Sequence, residues 1–186
     1  METDRVLLDA AKSMDETAFA KIFDLYAYAI YKYALRLCND SLLADQIVGD
    51  VFAKLLDKLS CGNGPWANLR SYFFETTYHL IVDEVRYSNR RLPLELVDLR
   101  NMYGNSASIS SENHMMFEIT LQAVHNNLTD YQRHVIVLRF FEGFSLRETA
   151  SILGKSAKHI KSTQNRAIKA LRKVLNCHKV EGSLFL

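Results

Sequence analysis

Apolar residues recur at steps of three and four along nearly the whole chain, and little interrupts them. There are only two prolines and seven glycines among 186 residues. A three-to-four period lays apolar side chains along one stripe of a helix, whereas a half-buried strand needs strict alternation. The chain is therefore expected to be all-α. Its hydrophobic content of 48% supplies one or two small folded cores.

The most informative stretch runs from Leu128 to Leu175, where three helical patterns follow one another with two short breaks. Thr129 with Gln132, and Ser145 with Glu148, have the spacing of capping boxes, in which side chains satisfy the first free amides of a helix. The first pattern passes through Val135, Leu138 and Phe141 and stops at Gly143. The second places Leu146, Thr149, Ala150 and Leu153 on one face, and Gly154-Lys155 forms the next turn. Ser156 caps the third helix, where Ile160, Ala167, Leu171 and Val174 share one side. Lys158, Lys161, Ser162, Asn165, Lys169 and Arg172 line the other. A short helix, a glycine turn and a longer helix with a donor-rich outer face form a helix-turn-helix, whose second helix suits a major groove.

Charge supports that reading. From Ser145 to Lys179 there are nine Lys/Arg and one acid, Glu148, a balance of +8, whereas residues 1–144 stand at −5. A basic helical face alone is compatible with a merely solvated surface. Here the charge asymmetry, the glycine turn and the small residues Ala150 and Ala157 agree on DNA binding.

Ahead of this lies a second helical module. Asp15 caps a helix whose Phe19, Ile22, Phe23, Tyr26, Ile30, Tyr33 and Leu37 form an aromatic-rich stripe expected to be core. Ser41 opens the next helix, with Ala44, Ile47, Val48, Val51, Phe52, Leu55 and Leu59 apolar and Asp45, Gln46 and Asp50 on its outer face. The run from Cys61 to Trp66 breaks the chain, and a further helix extends from about Asn68 to Asn89. Tyr72, Phe73, Phe74 and Tyr78 crowd its first half, and Arg86, Arg90 and Arg91 gather at its end. Such aromatics suit packing first, and beside a glycine-rich loop and a basic helix end they also suit stacking of unpaired bases.

Between Leu92 and Asn113 the periodicity fails in a polar stretch with Pro93 and Gly104, which reads as a flexible linker. The expected organisation is an amino-terminal module over 1–91, a linker over 92–113 and a helix-turn-helix module over 114–186. No apolar run is long enough to cross a bilayer, so no membrane insertion is expected. Met1-Glu2-Thr3-Asp4 lacks the order of a secretion signal. Cys38, Cys61 and Cys177 are widely spaced and unpaired in pattern, which suits free thiols in a reducing cytoplasm and no metal. Neither a nucleophile–base set nor a phosphate loop is recognisable, so neither an enzyme nor a cofactor is expected.

Taken together, the motifs resemble the bacterial RNA polymerase sigma factors of the extracytoplasmic-function (ECF) type. The residues that carry the likeness run from Ala44 to Phe52, from Asn68 to Tyr72, and from Val82 to Arg86. Past the linker they are Leu128-Thr129-Asp130, Val137 to Phe140, Gly143-Phe144-Ser145, and Ile160 to Ala167. The resemblance implies that Asp45, Gln46, Ile47, Asp50 and Phe52 meet the β′ clamp helices of core polymerase. It implies that Asn63, Asn68, Tyr72, His79 and Arg86 open the −10 promoter element and hold a flipped base. It further implies that Arg147, Lys158, His159, Lys161, Ser162, Asn165, Arg166 and Lys169 read the −35 element. An anti-sigma factor is an implied partner. The sequence departs from the family at Gln46 and Gly49, at Glu75 to Thr77, at Thr163, and at His79, where many relatives carry Asn. Two other readings remain open: a sigma-like mimic that titrates an anti-sigma factor, and a stand-alone helix-turn-helix regulator of the LuxR type.

Overall fold

Asp15 begins the first long helix by accepting the amides of Thr17 and Ala18 on its carboxylate, which holds that carboxyl below its ordinary range. In the computed structural model, residues 2–13, 15–62, 68–88 and 120–182 are described. They form α1 (Glu2–Lys12), α2 (Glu16–Cys38), α3 (Ser41–Ser60) and α4 (Leu69–Ser88). After these come α5 (residues 120–127), α6 (Asp130–Ile136), α7 (Leu146–Ile152) and α8 (Ala157–Gly182). No strand occurs among the described residues, in agreement with the all-α expectation. The expected linker over 92–113 lies outside them.

Local signals place the helix ends. Asn39, in the left-handed region at φ 54°, donates its amide to Leu35 and closes α2. Asp40 then accepts the Leu43 amide at 3.0 Å, so that Ser41 opens α3 under an aspartate cap. Asn68 does the same for α4, accepting the Ser71 amide at 3.0 Å. Both expected capping boxes form, Thr129 with Gln132 and Ser145 with Glu148. Gly143 and Gly154, at φ 71° and 60°, make the corner that leads into α7 and the turn between α7 and α8.

One element departs from the sequence expectation. The α6 pattern does not stay α-helical to its end: Val137–Phe141 form a π-helical turn, and the Glu142 amide bonds to the Val137 carbonyl at 3.0 Å. A π turn absorbs one extra residue in the helix. Here it points Val137 and Leu138 inward while Phe140 stays exposed.

The core is built by α2, α3 and α4, with Leu8 and Ala11 of α1 laid against them. Ile22, Ile30, Tyr33, Val51, Leu55 and Phe73 are fully buried. Phe23, expected in the core stripe, is 43% exposed. The stripe on α2 is wider than its neighbours can cover, and Phe23 rests at the edge on the Phe52 ring, 4.7 Å away. A second, smaller cluster of Val124, Leu128, Ile136 and Ala167 holds the carboxyl-terminal helices together. The main core does not stop at the amino-terminal module. Val135, Leu138, Phe144, Ile152 and Ile160 belong to the same continuous apolar cluster as α2 and α4.

Candidate nucleic-acid and polymerase interfaces

Helix α8 is seated by its buried Ile160, Thr163 and Ala167. Ser156 caps it, accepting the His159 amide at 3.2 Å. Because these inward residues are three and four apart, the opposite face is presented as a unit. Arg147, Lys158, His159, Lys161, Ser162, Asn165, Arg166 and Lys169 are all exposed. The result is a donor-rich surface with one nearby acid, Glu148, whose carboxylate is engaged by Ser145 and so held below its ordinary range. Arg139 fixes this helix from behind. Its Nε donates to Gln164 Oε1 at 3.0 Å and its Nη1 to the Phe144 carbonyl, so one guanidinium ties the π turn to both the glycine corner and α8. Sequence reasoning passed over Arg139 because an isolated arginine beside an apolar run reads as surface.

Asn68, the cap of α4, and Tyr72, His79 and Arg86 on the helix fall at steps of four, seven and seven, which places them on one stripe. Asn68, His79 and Arg86 are exposed, and Tyr72 is half-buried with the Lys58 ammonium 4.7 Å from its ring centre. Asn68 Oδ1 is occupied as the helix cap, which leaves its amide NH2 outward as a donor. Arg86 makes an exposed pair with Asp83 at 3.5 Å. Asn63 lies outside the described residues.

On α3, Asp45, Gln46 and Asp50 are exposed, and so is Gly49, with nothing within 4 Å of where a side chain would start. Ile47 and Phe52, grouped with them in the sequence reading, are instead 3% and 4% exposed. They point to the core because they share the helix face of Ala44, Val51 and Leu55, and they support the polar surface from beneath.

A further cluster, not anticipated from sequence, joins the two modules. Tyr33 of α2 and His134 of α6 are hydrogen-bonded, Oη to Nδ1, at 2.8 Å. Burial raises the Tyr33 hydroxyl well above its ordinary pKa and pushes His134 down to about 4, so the tyrosine keeps its proton and the imidazole is neutral. The Arg36 guanidinium meets the Glu142 carboxylate at 2.6 Å, both largely buried. Burial lifts the Glu142 pKa, opposed by the charges of Arg36 and Arg70. Arg70 donates to the Glu142 carbonyl and lies 4.0 Å over the Phe144 ring, which itself meets Phe74 edge-on at 4.9 Å.

No helix among the described residues is long and apolar enough to cross a membrane. None of the described His, Cys, Asp and Glu residues cluster as metal ligands. Cys38 and Cys61 are free thiols.

Comparison with known proteins matches residues 22–91 to Sigma-70 region 2 and residues 126–173 to Sigma-70 region 4. The chain is 24% identical over 173 residues to the ECF RNA polymerase sigma factor BldN of Streptomyces coelicolor, covering 91% of this chain and 64% of that protein. It is 25% identical over 167 residues to the ECF RNA polymerase sigma factor SigX of Bacillus subtilis, covering 86% of this chain and 84% of SigX. The same fold is seen in the sigma factor RpoE, solved in complex with the anti-sigma factor NepR from Bartonella quintana. There the TM-score is 0.65 at 23% identity, covering 85% of this chain and 96% of that one. With both regions present in order over more than half of its length, the chain belongs to the sigma-70 family, as an RNA polymerase sigma factor of the ECF group.

Proposed function

We propose that this chain directs core RNA polymerase to a restricted set of promoters and helps to open them, without being an enzyme itself. The observation that carries this reading is the pairing of an exposed, donor-rich α8 with the exposed polar stripe of α4 in one chain. In this reading Asp45, Gln46 and Asp50 meet the β′ clamp helices, with Ile47 and Phe52 holding α3 in shape behind them. Asn68, Tyr72, His79 and Arg86, with Asn63 in the preceding loop, act at the −10 element. Unstacking a base costs a few kcal/mol, and an aromatic ring beside amide and imidazole donors offsets part of it.

Arg147, Lys158, His159, Lys161, Ser162, Asn165, Arg166 and Lys169 face the −35 element. The lysines and arginines supply salt-dependent phosphate affinity, and Asn165 and Arg166 have the geometry to read base edges. The protein works in the cytoplasm, where polymerase and promoters are. An anti-sigma factor is a fitting partner, since a relative of the same fold was solved with one.

The test is transcription in vitro from a genomic library with purified core polymerase, with and without this protein. Discrete start sites that depend on the protein are expected. A protein that instead binds a specific duplex unaided and yields no such transcripts with core polymerase would be a stand-alone helix-turn-helix regulator.

A further inference from the structure

We propose that the cavity between α4 and α6 is a binding site for a small organic carboxylate with an apolar body, an effector that this chain senses directly. The cavity lies in the seam where α2 and α4 meet the helix-turn-helix module, beside the Tyr33–His134 hydrogen bond. Its volume is about 210 Å³. That is room for about ten non-hydrogen atoms, less than the roughly 300 Å³ at which drug-sized pockets begin.

Apolar side chains make most of its wall. Leu37 comes from α2 and Ile81, Val82 and Val85 from α4, and Val85 is left 37% exposed. The contribution of α6 is polar, and two of its atoms are unsatisfied. The Tyr131 hydroxyl and Arg133 Nε are both buried, and neither has a hydrogen-bond partner among the described residues. A buried donor left in this state costs free energy, which an acceptor brought by a ligand recovers. The remainder of the Arg133 guanidinium is occupied: Nη2 donates to Asp130, and Nη1 is 3.1 Å from a His125 ring nitrogen. Burial pushes the Tyr131 pKa up to about 12, so its hydroxyl keeps its proton.

The balance of these groups sets the ligand class. Arg86 also lines the cavity, and its pair with Asp83 is exposed and 3.5 Å long, a kind that holds weakly in water. The lining carboxylate, Asp130, is already taken by Arg133. Donors without acceptors beside an apolar wall fit a carboxylate head on an apolar body, and they do not fit a cation.

Occupancy of the cavity touches both DNA-binding faces. Arg86 belongs to the −10 stripe, and the Tyr131 ring packs against that of His159, 5.6 Å between centres, at the start of α8. A carboxylate held by Arg86 and Tyr131 therefore competes for a residue of one face and shifts the support of the other. This consequence for promoters rests on the sigma-factor reading; binding of the carboxylate does not.

NMR titration of the full-length protein, with labelled isoleucine, leucine and valine methyls, tests the site without polymerase or DNA. The probes are phenylpropanoate and its neutral alcohol, phenylpropanol. Saturable shifts centred on Leu37, Ile81, Val82 and Val85 are expected, with a midpoint at about 1 mM or below for the carboxylate. The alcohol should need about tenfold more. Val85→Trp, which fills the space, should abolish the shifts, and Tyr131→Phe should cut the preference for the carboxylate several-fold. Absence of saturation by about 10 mM, shifts centred elsewhere, or undiminished binding in folded Val85→Trp overturns the proposal. Equal midpoints for the two probes overturn the carboxylate class, and an unmoved preference in Tyr131→Phe removes that hydroxyl from the site. If a variant loses helicity, the wild-type shifts decide.

With core polymerase, saturating phenylpropanoate should lower promoter binding several-fold in the wild type and leave Val85→Trp at its own untreated value. Binding at these methyls with unchanged promoter affinity overturns the regulatory part alone. A protein that takes the probe there yet yields no promoter-specific transcripts overturns the sigma-factor reading and leaves the site standing.

Discussion

Tyr33 and His134 are 101 positions apart in sequence, yet their side chains meet in a buried hydrogen bond of 2.8 Å. Tyr78 closes the imidazole from the α4 side, its ring edge-on at 4.8 Å, and Asp130 and Arg133 are the charged neighbours on α6. Burial keeps the imidazole neutral, and its Nδ1 shares one hydrogen bond with the tyrosine hydroxyl.

This makes the seam acid-sensitive. The His134 pKa is about 4 in the folded protein against 6.5 for a free imidazole. Protons therefore favour the state in which His134 is exposed. Its contribution is fully present above about pH 6.5 and is lost as the pH falls toward 4. Between pH 7.5 and 5 the loss should be about 2 kcal/mol. Glu142, whose pKa is raised by burial, acts in the opposite direction, so the histidine is read as the difference between the wild type and a variant that keeps Glu142. Melting temperatures measured across that window should fall more steeply for the wild type than for His134→Gln. Parallel profiles would remove His134 from the account.

The recognition face of α8 gives a second expectation. Lys161→Ala or Arg166→Ala should weaken promoter binding by about 1–3 kcal/mol where a base edge is lost, with relaxed preference at one position. Where the lost contact is a phosphate, affinity should drop evenly across sequences and the salt slope should decrease by about one. Binding titrations at several salt concentrations separate the two, and unchanged binding in both variants would show that this face does not meet DNA.

On α3 the exposed Asp45 and Asp50 are five positions apart, about 140° around the helix, with Gln46 beside the first. Replacing both with Arg buries no charge and should leave the fold intact. Association with core polymerase should collapse, since like charges would face each other across the interface. A pull-down with normal core binding would count against the polymerase assignment.

His79 is exposed in the middle of the α4 stripe, its ring 5.2 Å from that of Tyr78. A neutral imidazole offers one donor and one acceptor, so it can stand in for an asparagine amide with a different base preference. His79→Ala should spare binding to core polymerase and to −35 duplex while lowering open-complex formation, and His79→Asn should change the preferred −10 base. Permanganate footprinting on a promoter library reads both effects. Full melting by the alanine variant with an unmoved preference would take His79 out of the site.

Helices, caps and the recognition face were legible because their causes are local. Asp15, Thr129, Ser145 and Ser156 announce helix starts within four residues, and the spacing of Ile160, Ala167 and the basic residues between them defines two faces of α8. The seam was not legible, because its parts look like surface. Arg36, Arg70 and Glu142 are charged residues that ordinarily face water, and only a fold bringing residues 36, 70 and 142 together gives them partners. Burial of Ile47 and Phe52 was readable from their spacing with Val51 and Leu55, but the family resemblance grouped them with their exposed neighbours. The capping role of Asn68, whose Oδ1 accepts the Ser71 amide, was equally hidden behind the reading of its amide as a base contact, although the two are compatible.

The π turn at Val137–Phe141 makes residue count in that stretch as important as residue identity. Conservative substitutions there would change packing but leave the following corner in place. Deletion of a single residue there would remove the bulge and let an ordinary α-helix form with the downstream phase kept. Insertion of a further residue has no such slack to take up and would rotate Gly143, α7 and α8 by about 100°, with Arg139 turned away from Gln164. Loss of a residue in this segment should therefore be tolerated better than gain of one.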